Sequence, residues 1–336
     1  MAELTKDLVR AWLRTIEPRK EFHLKTVMDG DIDFDKYSNL YGSLRRMFTE
    51  FVKARVIKPA GRRDGYYMVI EPVEPIRSLE GNKQEALDFA FPIDHELNSS
   101  FGFEDLIEVF PGDLILITGP SNYGKTAVAL NILGENVDKM ESVLMGSEYT
   151  AVDNKITPRF RRRMAKMKWV DWYNSDGDLK FELLPVDQDF EDYIKTDKLN
   201  VIDWITLPDK YYMIDYVLHK MKNWVGNGVL VAVLQKNRNS EYAEGGERTE
   251  RYADVYLKLN PYGENQTRLE VGKVKSSKGQ VIGRSWVFRV VDYGANIHDI
   301  REVKKCPKCY NRDQKRPWCD GCNRLGWVEK LEDMPF

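Results

Sequence analysis

The sequence predicts an α/β fold with a parallel sheet, preceded by a smaller unit and followed by a cysteine-bearing tail. From about residue 98 to residue 295, short aliphatic runs alternate with stretches of helical spacing, the pattern of a sheet covered by helices. A glycine-rich loop lies between one such run and the helix expected after it. All four cysteines fall between positions 306 and 322.

Composition excludes several other classes of protein. Hydrophobic residues make up 42% of the 336 residues, which excludes a disordered chain. The longest purely aliphatic run, residues 229–234, is too short to span a membrane, and the first ten residues lack the apolar stretch of a secretory signal. The net charge of −2 neither favours nor excludes binding to nucleic acid, so only local clusters of charged residues can indicate it. Because the cysteines are confined to the tail, we expect a cytoplasmic protein without a disulfide framework.

Breaks in composition divide the chain into four expected parts. The proline-punctuated stretch 71–75 ends an amino-terminal domain, residues 1–75, and a linker is expected over residues 76–98. The main domain is expected over residues 99–300, and the cysteine tail over residues 301–336.

The pattern of residues 1–75 is typical of a winged-helix domain. Residues 4–16 and 37–56 have helical spacing, and two short β runs around the turn at 61–65 predict a hairpin. The segment 45–63 carries seven basic side chains against one acidic side chain, which favours contact with DNA phosphates. The candidates for that contact are Arg45, Arg46, Arg62 and Arg63. A winged helix that docks on protein is the alternative.

Residues 119–126 satisfy the phosphate-binding motif G-x-x-x-x-G-K-[ST] in full. An aliphatic run at 114–117 precedes the motif and a helix-forming run at 127–133 follows it, which is the context that a P-loop requires. We expect Lys125 to reach the β- and γ-phosphates of ATP and the Thr126 hydroxyl to coordinate Mg²⁺. The nucleotide-binding candidates are Gly119, Pro120, Ser121, Asn122, Tyr123, Gly124, Lys125 and Thr126.

Polar residues at the ends of three later strands complete the expected site. Asp203 ends an apolar run and is the candidate Walker B carboxylate, which would hold Mg²⁺ together with Thr126. Glu148 follows the apolar run 143–147 and is the candidate base that polarises the attacking water, although a strand-end carboxylate is often a helix cap or a surface residue. Gln235 ends the run 228–234, where its amide can sense the γ-phosphate.

Together these residues resemble the RecA-like ATPase core of the DnaB-type replicative helicase family. The similar stretches are 111–117, 124–132, 201–203, 251–256 and 272–279. The resemblance covers roughly residues 100 to 295. It implies that Glu148 is the catalytic glutamate, that Gln235 is the sensor, and that ATP lies between the subunits of a homohexameric ring or a filament.

In the family, a hairpin sends a lysine and an arginine to the γ-phosphate of the neighbouring subunit. Lys273 matches that lysine, while Lys275 stands where the arginine finger would be. A lysine delivers charge without the planar, bidentate fork of a guanidinium, so we expect this hairpin to give weaker trans catalysis or to have a partly structural role.

Two further basic segments are candidates for contact with nucleic acid. Residues 155–168 carry seven basic side chains and no acidic one, next to aromatic rings, which suits single-stranded nucleic acid. A helix with a buried apolar face and solvated charges, or a brace at a subunit interface, is the alternative. The polar segment 236–246 is expected to be a DNA-contacting or switch loop, with a disordered surface loop as the alternative. The candidates are Arg161, Arg162, Arg163, Lys236 and Arg238.

The tail contains two C-x-x-C pairs separated by nine residues. Four thiolates fill a tetrahedral coordination shell, so we expect a structural zinc ion bound by Cys306, Cys309, Cys319 and Cys322. A redox-active dithiol is the minor alternative.

The expected function is ATP hydrolysis with Mg²⁺ coupled to DNA. The leading hypothesis is an oligomeric DnaB-like helicase or translocase of a viral, mobile-element or repair system, acting on single-stranded or duplex DNA, with a replication or recombination protein as a further partner. The alternatives are an ATP-switched clamp, recombination mediator or loader without motor activity, and a DNA-binding regulator whose oligomerisation is controlled by ATP.

Overall fold

A computed structural model describes residues 4–17, 20–27, 40–61, 64–71, 85–150, 155–207, 210–238, 240–310 and 319–330. The chain divides into two compact units, Met1–Lys83 and Gln84–Phe336. Of the predicted DNA-contacting residues, Arg62 and Arg63 lie outside the described residues. So do residues 37–39, the start of the second predicted helix.

In its described residues, the first unit combines two α-helices with a small antiparallel sheet. Its elements in chain order are α1 (Lys6–Leu13), β1 (Glu21–His23), α2 (Leu40–Lys53), β2 (Ile57–Pro59) and β3 (Tyr66–Val69). The three strands pair in the order β1–β3–β2. The Thr5 side chain caps α1 by accepting a hydrogen bond from the backbone N–H of Leu8 at 3.3 Å.

An aromatic and aliphatic core joins these elements. The rings of Phe22 on β1 and Phe48 on α2 meet edge to face, with centroids 6.1 Å apart. Val9 and Leu13 of α1 are buried in the same cluster. Arg45 and Arg46 lie on the exposed side of α2, and Arg45 forms an ion pair with Asp64 at 3.3 Å.

The second unit is an α/β structure. It begins with the hairpin β4 (Ile93–Asp94) and β5 (Ser99–Ser100), followed by α3 (Phe103–Leu106). The remaining elements in chain order are β6 (Leu114–Gly119), α4 (Lys125–Asn136), β7 (Ser142–Met145), α5 (Pro158–Lys166), β8 (Phe181–Leu184), β9 (Leu199–Ile205), α6 (Ile214–Trp224), β10 (Val229–Gln235), β11 (Val255–Tyr262), β12 (Gln266–Val274), β13 (Ser285–Val291), β14 (Asn296–Lys305), α7 (Pro307–Tyr310) and β15 (Trp327–Glu329).

Within the described ranges, ten strands form one sheet in the order β8–β7–β9–β10–β6–β11–β12–β13–β14–β15. The first six strands in this order, β8 through β11, pair in parallel. The last four, β12, β13, β14 and β15, pair antiparallel with their neighbours. The expected α/β class with a parallel sheet is therefore confirmed. Strand β14 spans the expected boundary between residues 300 and 301, and β15 of the tail pairs with it.

Alternating side chains of the parallel strands build two cores, one on each face of the sheet. Ile115 and Ile117 of β6 pack in one cluster with apolar residues of α4. Leu114 and Leu116 of the same strand pack in a second cluster with apolar residues of α6. Because both faces are covered, the strands read as continuous aliphatic runs.

In the part of the chain that the structure describes, no helix has both the length and the apolar character needed to cross a membrane.

Candidate functional site: the P-loop pocket and the cysteine cluster

The phosphate-binding loop lies between β6 and α4, and two glycines determine its shape. Gly124, directly before α4, has a φ of 78°, which favours glycine. A Cβ on Gly119 would lie 2.8 Å from Cβ of Leu259 on β11, so the loop begins where two backbones approach closely. The strand–loop–helix arrangement is that of a P-loop nucleotide-binding protein.

Hydrogen bonds join the P-loop to the end of β10. The Lys125 ammonium donates to the carbonyl oxygen of Pro120 at 2.9 Å and to Oε1 of Gln235 at 3.0 Å. The Gln235 amide in turn donates to Oγ of Ser121 at 3.0 Å. Burial lowers the pKa of Lys125 to about 8. The side chain at the proposed sensor position therefore contacts both the motif lysine and the loop.

Asp203, near the end of β9, is buried beneath the loop. Its Oδ2 accepts a hydrogen bond from the Tyr149 hydroxyl at 2.5 Å, and its carboxylate is also hydrogen-bonded to Thr126. Burial raises the pKa of Asp203, and these two hydrogen bonds oppose that rise. Burial also raises the pKa of Tyr149 well above its usual value, so the phenol remains a donor.

The arrangement of Thr126 and Asp203 fits a magnesium site. Oδ1 of Asp203 is buried and has no hydrogen-bond partner among the residues that the structure describes. Leaving such an oxygen unsatisfied is costly, and a hydrated cation would satisfy it. Thr126 and Asp203 would hold Mg²⁺, which would neutralise charge on the phosphates.

A pocket of about 510 Å³ opens above the P-loop. Glu148, which follows β7, lines this pocket together with Lys125, Thr126 and Gln235. The parallel strands β6, β7, β9 and β10 all end at this edge of the sheet, so their terminal side chains converge there. The remaining lining residues are Ser121, Asn122, Gly124, Ala127, Arg159, Arg163, Trp204, Val290 and Gly294.

The two lysines of the proposed trans hairpin lie elsewhere. Among the described residues that line the P-loop pocket, neither Lys273 nor Lys275 is present. The Lys273 ammonium donates to the carbonyl oxygen of Glu250 at 2.6 Å, and burial lowers its pKa. Lys275 forms a 2.6 Å ion pair with Asp254, a buried carboxylate that also binds Lys222. Both lysines are thus held by groups of their own chain.

The basic segment around α5 separates into two faces. Phe160 and Met164 are buried in the core, so the apolar side chains between the basic ones serve packing. Arg161 and Arg162 are exposed, and the Arg162 guanidinium lies 5.2 Å from the ring centroid of Tyr293. Arg163 instead lines the P-loop pocket.

The two candidates after β10 differ in exposure. Lys236 is 2% exposed, and its ammonium donates to Oδ1 of Asn260 at 2.6 Å. Burial lowers its pKa, and in this arrangement it does not face solvent. Arg238 is exposed and lies 5.7 Å from the ring centroid of Tyr123, beside the P-loop.

Two features of the site are not indicated by the sequence motifs. Nothing in the sequence distinguishes Tyr149 from other tyrosines, because its role depends on the approach of β9 to β7. The placement of Arg159 and Arg163 does have a sequence signal, since residues four apart share one face of a helix. The sequence alone, however, does not separate these two arginines from the other basic residues of segment 155–168.

The four cysteines of the tail are brought together. Their Sγ atoms all lie within 4.8 Å of one another, with 3.9 Å between Cys306 and Cys319 and 3.4 Å between Cys309 and Cys322. A tetrahedral zinc ion with Zn–S bonds of about 2.3 Å requires sulfurs about 3.8 Å apart. A hydrogen bond with Cys309 lowers the pKa of Cys319 to about 7. The cluster therefore fits zinc.

Comparisons with known proteins add little to this geometry. No protein-family model matches the sequence, and no curated protein matches it. Among solved structures, the KaiC-like protein PH0186 from the hyperthermophilic archaeon Pyrococcus horikoshii OT3 is similar to this chain, with 19% sequence identity and a TM-score of 0.47. The match covers 65% of this chain and 100% of that chain. The nucleotide site is defined by the geometry of this chain itself.

The pKa of Lys125 leads to a prediction about nucleotide affinity. With a pKa of about 8 in the nucleotide-free protein, Lys125 loses its proton above pH 8, whereas bound phosphates stabilise the ammonium. ATP affinity should therefore be nearly constant from pH 7 to 7.5 and fall about tenfold per pH unit well above pH 8. Calorimetry at pH 9 in buffers of different ionisation enthalpy should show uptake of about one proton on binding.

The Lys125→Arg variant is the matched control, because a guanidinium keeps its charge throughout this range. Its affinity should not fall between pH 8 and 9. A wild-type affinity that stays flat from pH 7 to 9 would contradict the low pKa of Lys125.

Metal analysis tests the cysteine cluster. The purified chain should contain one zinc ion per molecule, and Cys309→Ser should lower that content well below one because three thiolates and a hydroxyl bind zinc more weakly. Asp320→Asn, which changes an exposed carboxylate beside the cluster, should keep the full zinc content. Full zinc content in Cys309→Ser would argue against four-sulfur ligation.

Proposed function

We propose that the chain is an oligomeric RecA-like ATPase of the DnaB type that hydrolyses ATP with Mg²⁺ and acts on DNA as a helicase or translocase. The observation that carries the proposal is that Lys125, Thr126, Glu148 and Gln235 line one pocket, and that Asp203 is hydrogen-bonded to Thr126 beside it. Each residue type suits one requirement of phosphoryl transfer to water.

The chemistry assigns a role to each side chain. Lys125 binds the β- and γ-phosphates, and Thr126 and Asp203 hold the magnesium ion. Glu148 is exposed at the pocket wall, where its carboxylate can accept a proton from the attacking water. Gln235 is hydrogen-bonded to Lys125 and Ser121, and these contacts link the phosphate-binding loop to the segment after β10.

Assembly follows from the same proposal. Lys273 and Lys275 lie outside the pocket of their own chain, so any contact they make with a γ-phosphate is made on a neighbouring subunit. A ring or filament, with a homohexamer as the expected ring, places the hairpin of one subunit at the nucleotide of the next.

The flanking parts are proposed to serve DNA or partner binding. The element order of the first unit and its β1–β3–β2 sheet support a winged helix, with exposed Arg45 and Arg46 as phosphate contacts. The cysteine cluster beside the β14–β15 pair supports a small zinc ribbon.

One observation favours a second candidate, an ATP-switched clamp or loader without motor activity. Lys275 occupies the position of the arginine finger and is paired with buried Asp254. Burial would raise the pKa of Asp254, but hydrogen bonds from Lys222 and Lys275 lower it, so the carboxylate is charged and holds the lysine. A hairpin held in this way would slow hydrolysis.

Steady-state ATP turnover distinguishes the two candidates. For a translocating motor, single-stranded DNA should raise the turnover of the full chain at least about tenfold, and duplex DNA should raise it less. Glu148→Gln should bind ATP as the wild type does but turn it over at least about a hundredfold more slowly, with or without DNA.

A slow rate that does not respond to DNA would contradict the motor and favour the clamp or loader. Wild-type turnover in Glu148→Gln would remove Glu148 from the catalytic role.

A further inference from the structure

Two arginines of α5 form one wall of the P-loop pocket. Arg159 and Arg163 are four residues apart, so they lie one above the other on the same face of the helix. Both line the pocket together with the P-loop, Glu148 and Gln235. Two guanidinium groups therefore line the same pocket as the P-loop.

The start of α5 is attached to the segment that carries Glu148. The backbone N–H of Thr157 donates to the carbonyl oxygen of Tyr149 at 2.9 Å. The Thr157 hydroxyl donates to the backbone carbonyl oxygen of Glu148 at 3.3 Å. Arg159 follows in the first turn of α5. It therefore belongs to the end of the pocket where the proposed base stands.

Arg163 lies one turn further along α5 and is held at a different place. Its Nε donates to the carbonyl oxygen of Tyr293 at 3.3 Å. A Cβ on Gly294 would lie 3.1 Å from Nη2 of Arg163, so this glycine leaves room for the guanidinium. The backbone thus orients the guanidinium, and its other N–H groups have no hydrogen-bond partner among the described residues.

Neither guanidinium is neutralised by its own chain in the described ranges. No ion pair within 4 Å joins Arg159 or Arg163 to a carboxylate there, whereas Lys275 and Arg45 each have such a partner. Arginine binds phosphate through several parallel N–H donors and keeps its charge at any physiological pH. Two such groups facing a P-loop are suited to a triphosphate.

We propose that Arg159 and Arg163 bind the phosphate chain of the nucleoside triphosphate in cis, with Arg159 at the γ-phosphate end. The inference rests on the proposed ATPase function and names binding residues for the same site. It moves Arg163 from the nucleic-acid contacts expected from the sequence to the nucleotide pocket. Arg159 and Arg163 would thus bring guanidinium groups to the phosphates from the same subunit. In the proposed trans hairpin, by contrast, Lys275 stands at the position of the arginine finger.

Direct nucleotide binding tests the proposal without relying on turnover. Fluorescent ATP and ADP analogues are titrated, in the absence of DNA, into the full chain and into Arg159→Gln and Arg163→Gln. Arg159→Gln should weaken ATP at least about tenfold and ADP much less, because its contact is with the γ-phosphate. Arg163→Gln should weaken both nucleotides by similar factors.

Lys166→Gln is the matched control, because it removes a cation from the same helix at an exposed position outside the P-loop pocket. Its nucleotide affinities should equal those of the wild type, and thermal unfolding should show that all three variants are folded. Equal losses in Lys166→Gln and the arginine variants would overturn the proposal, because a general surface-charge effect would then explain them.

Lys125→Ala separates failure of this inference from failure of the proposed function. If Lys125→Ala loses ATP binding while both arginine variants keep wild-type affinities, the P-loop site stands and the cis arginine contact is wrong. If Lys125→Ala itself binds ATP normally, the nucleotide site is wrong. Arginine variants that lose only single-stranded DNA binding would restore the nucleic-acid hypothesis and overturn the inference.

Discussion

The candidate site depends on one constraint, which is that four parallel strands end at the same edge of the sheet. Strands β6, β7, β9 and β10 are neighbours in the order β7–β9–β10–β6, so residues far apart in sequence meet at their carboxyl ends. Burial on both faces fixes the register of these strands, because a slip of one residue would exchange the two cores. The positions of Glu148, Asp203 and Gln235 relative to the P-loop follow from that register.

Hydrogen bonds also link the residues at that edge to one another. Gln235 connects the P-loop lysine to Ser121, and Tyr149 connects the segment after β7 to Asp203. Tyr149 acts through the carboxylate and is a positioning residue, since it fixes which oxygen of Asp203 remains available. The cis arginines proposed on α5 line the same pocket.

Much of this arrangement could be predicted from the sequence. The P-loop and the polar residues at strand ends are local signals, because a buried parallel strand appears as an aliphatic run and its last residue marks the sheet edge. The cysteine pairs are equally local. The surroundings of Lys236, Lys275 and Tyr149 could not be predicted, because each depends on a contact with a residue distant in sequence. The basic character of the segment also does not distinguish Arg163, which lines the pocket, from Arg161, which is exposed to solvent on the same helix.

The most direct test of the account is ATP hydrolysis with Mg²⁺ by the full chain and by Lys125→Ala, alongside circular dichroism and thermal unfolding of both proteins. The account predicts turnover by the wild type and a loss of at least about a hundredfold in Lys125→Ala, because the variant lacks the cation that binds the β- and γ-phosphates. The fold should be retained, since burial of the Lys125 ammonium carries a desolvation cost that alanine removes. Equal turnover by the two folded proteins would contradict the P-loop site, and with it the proposed ATPase.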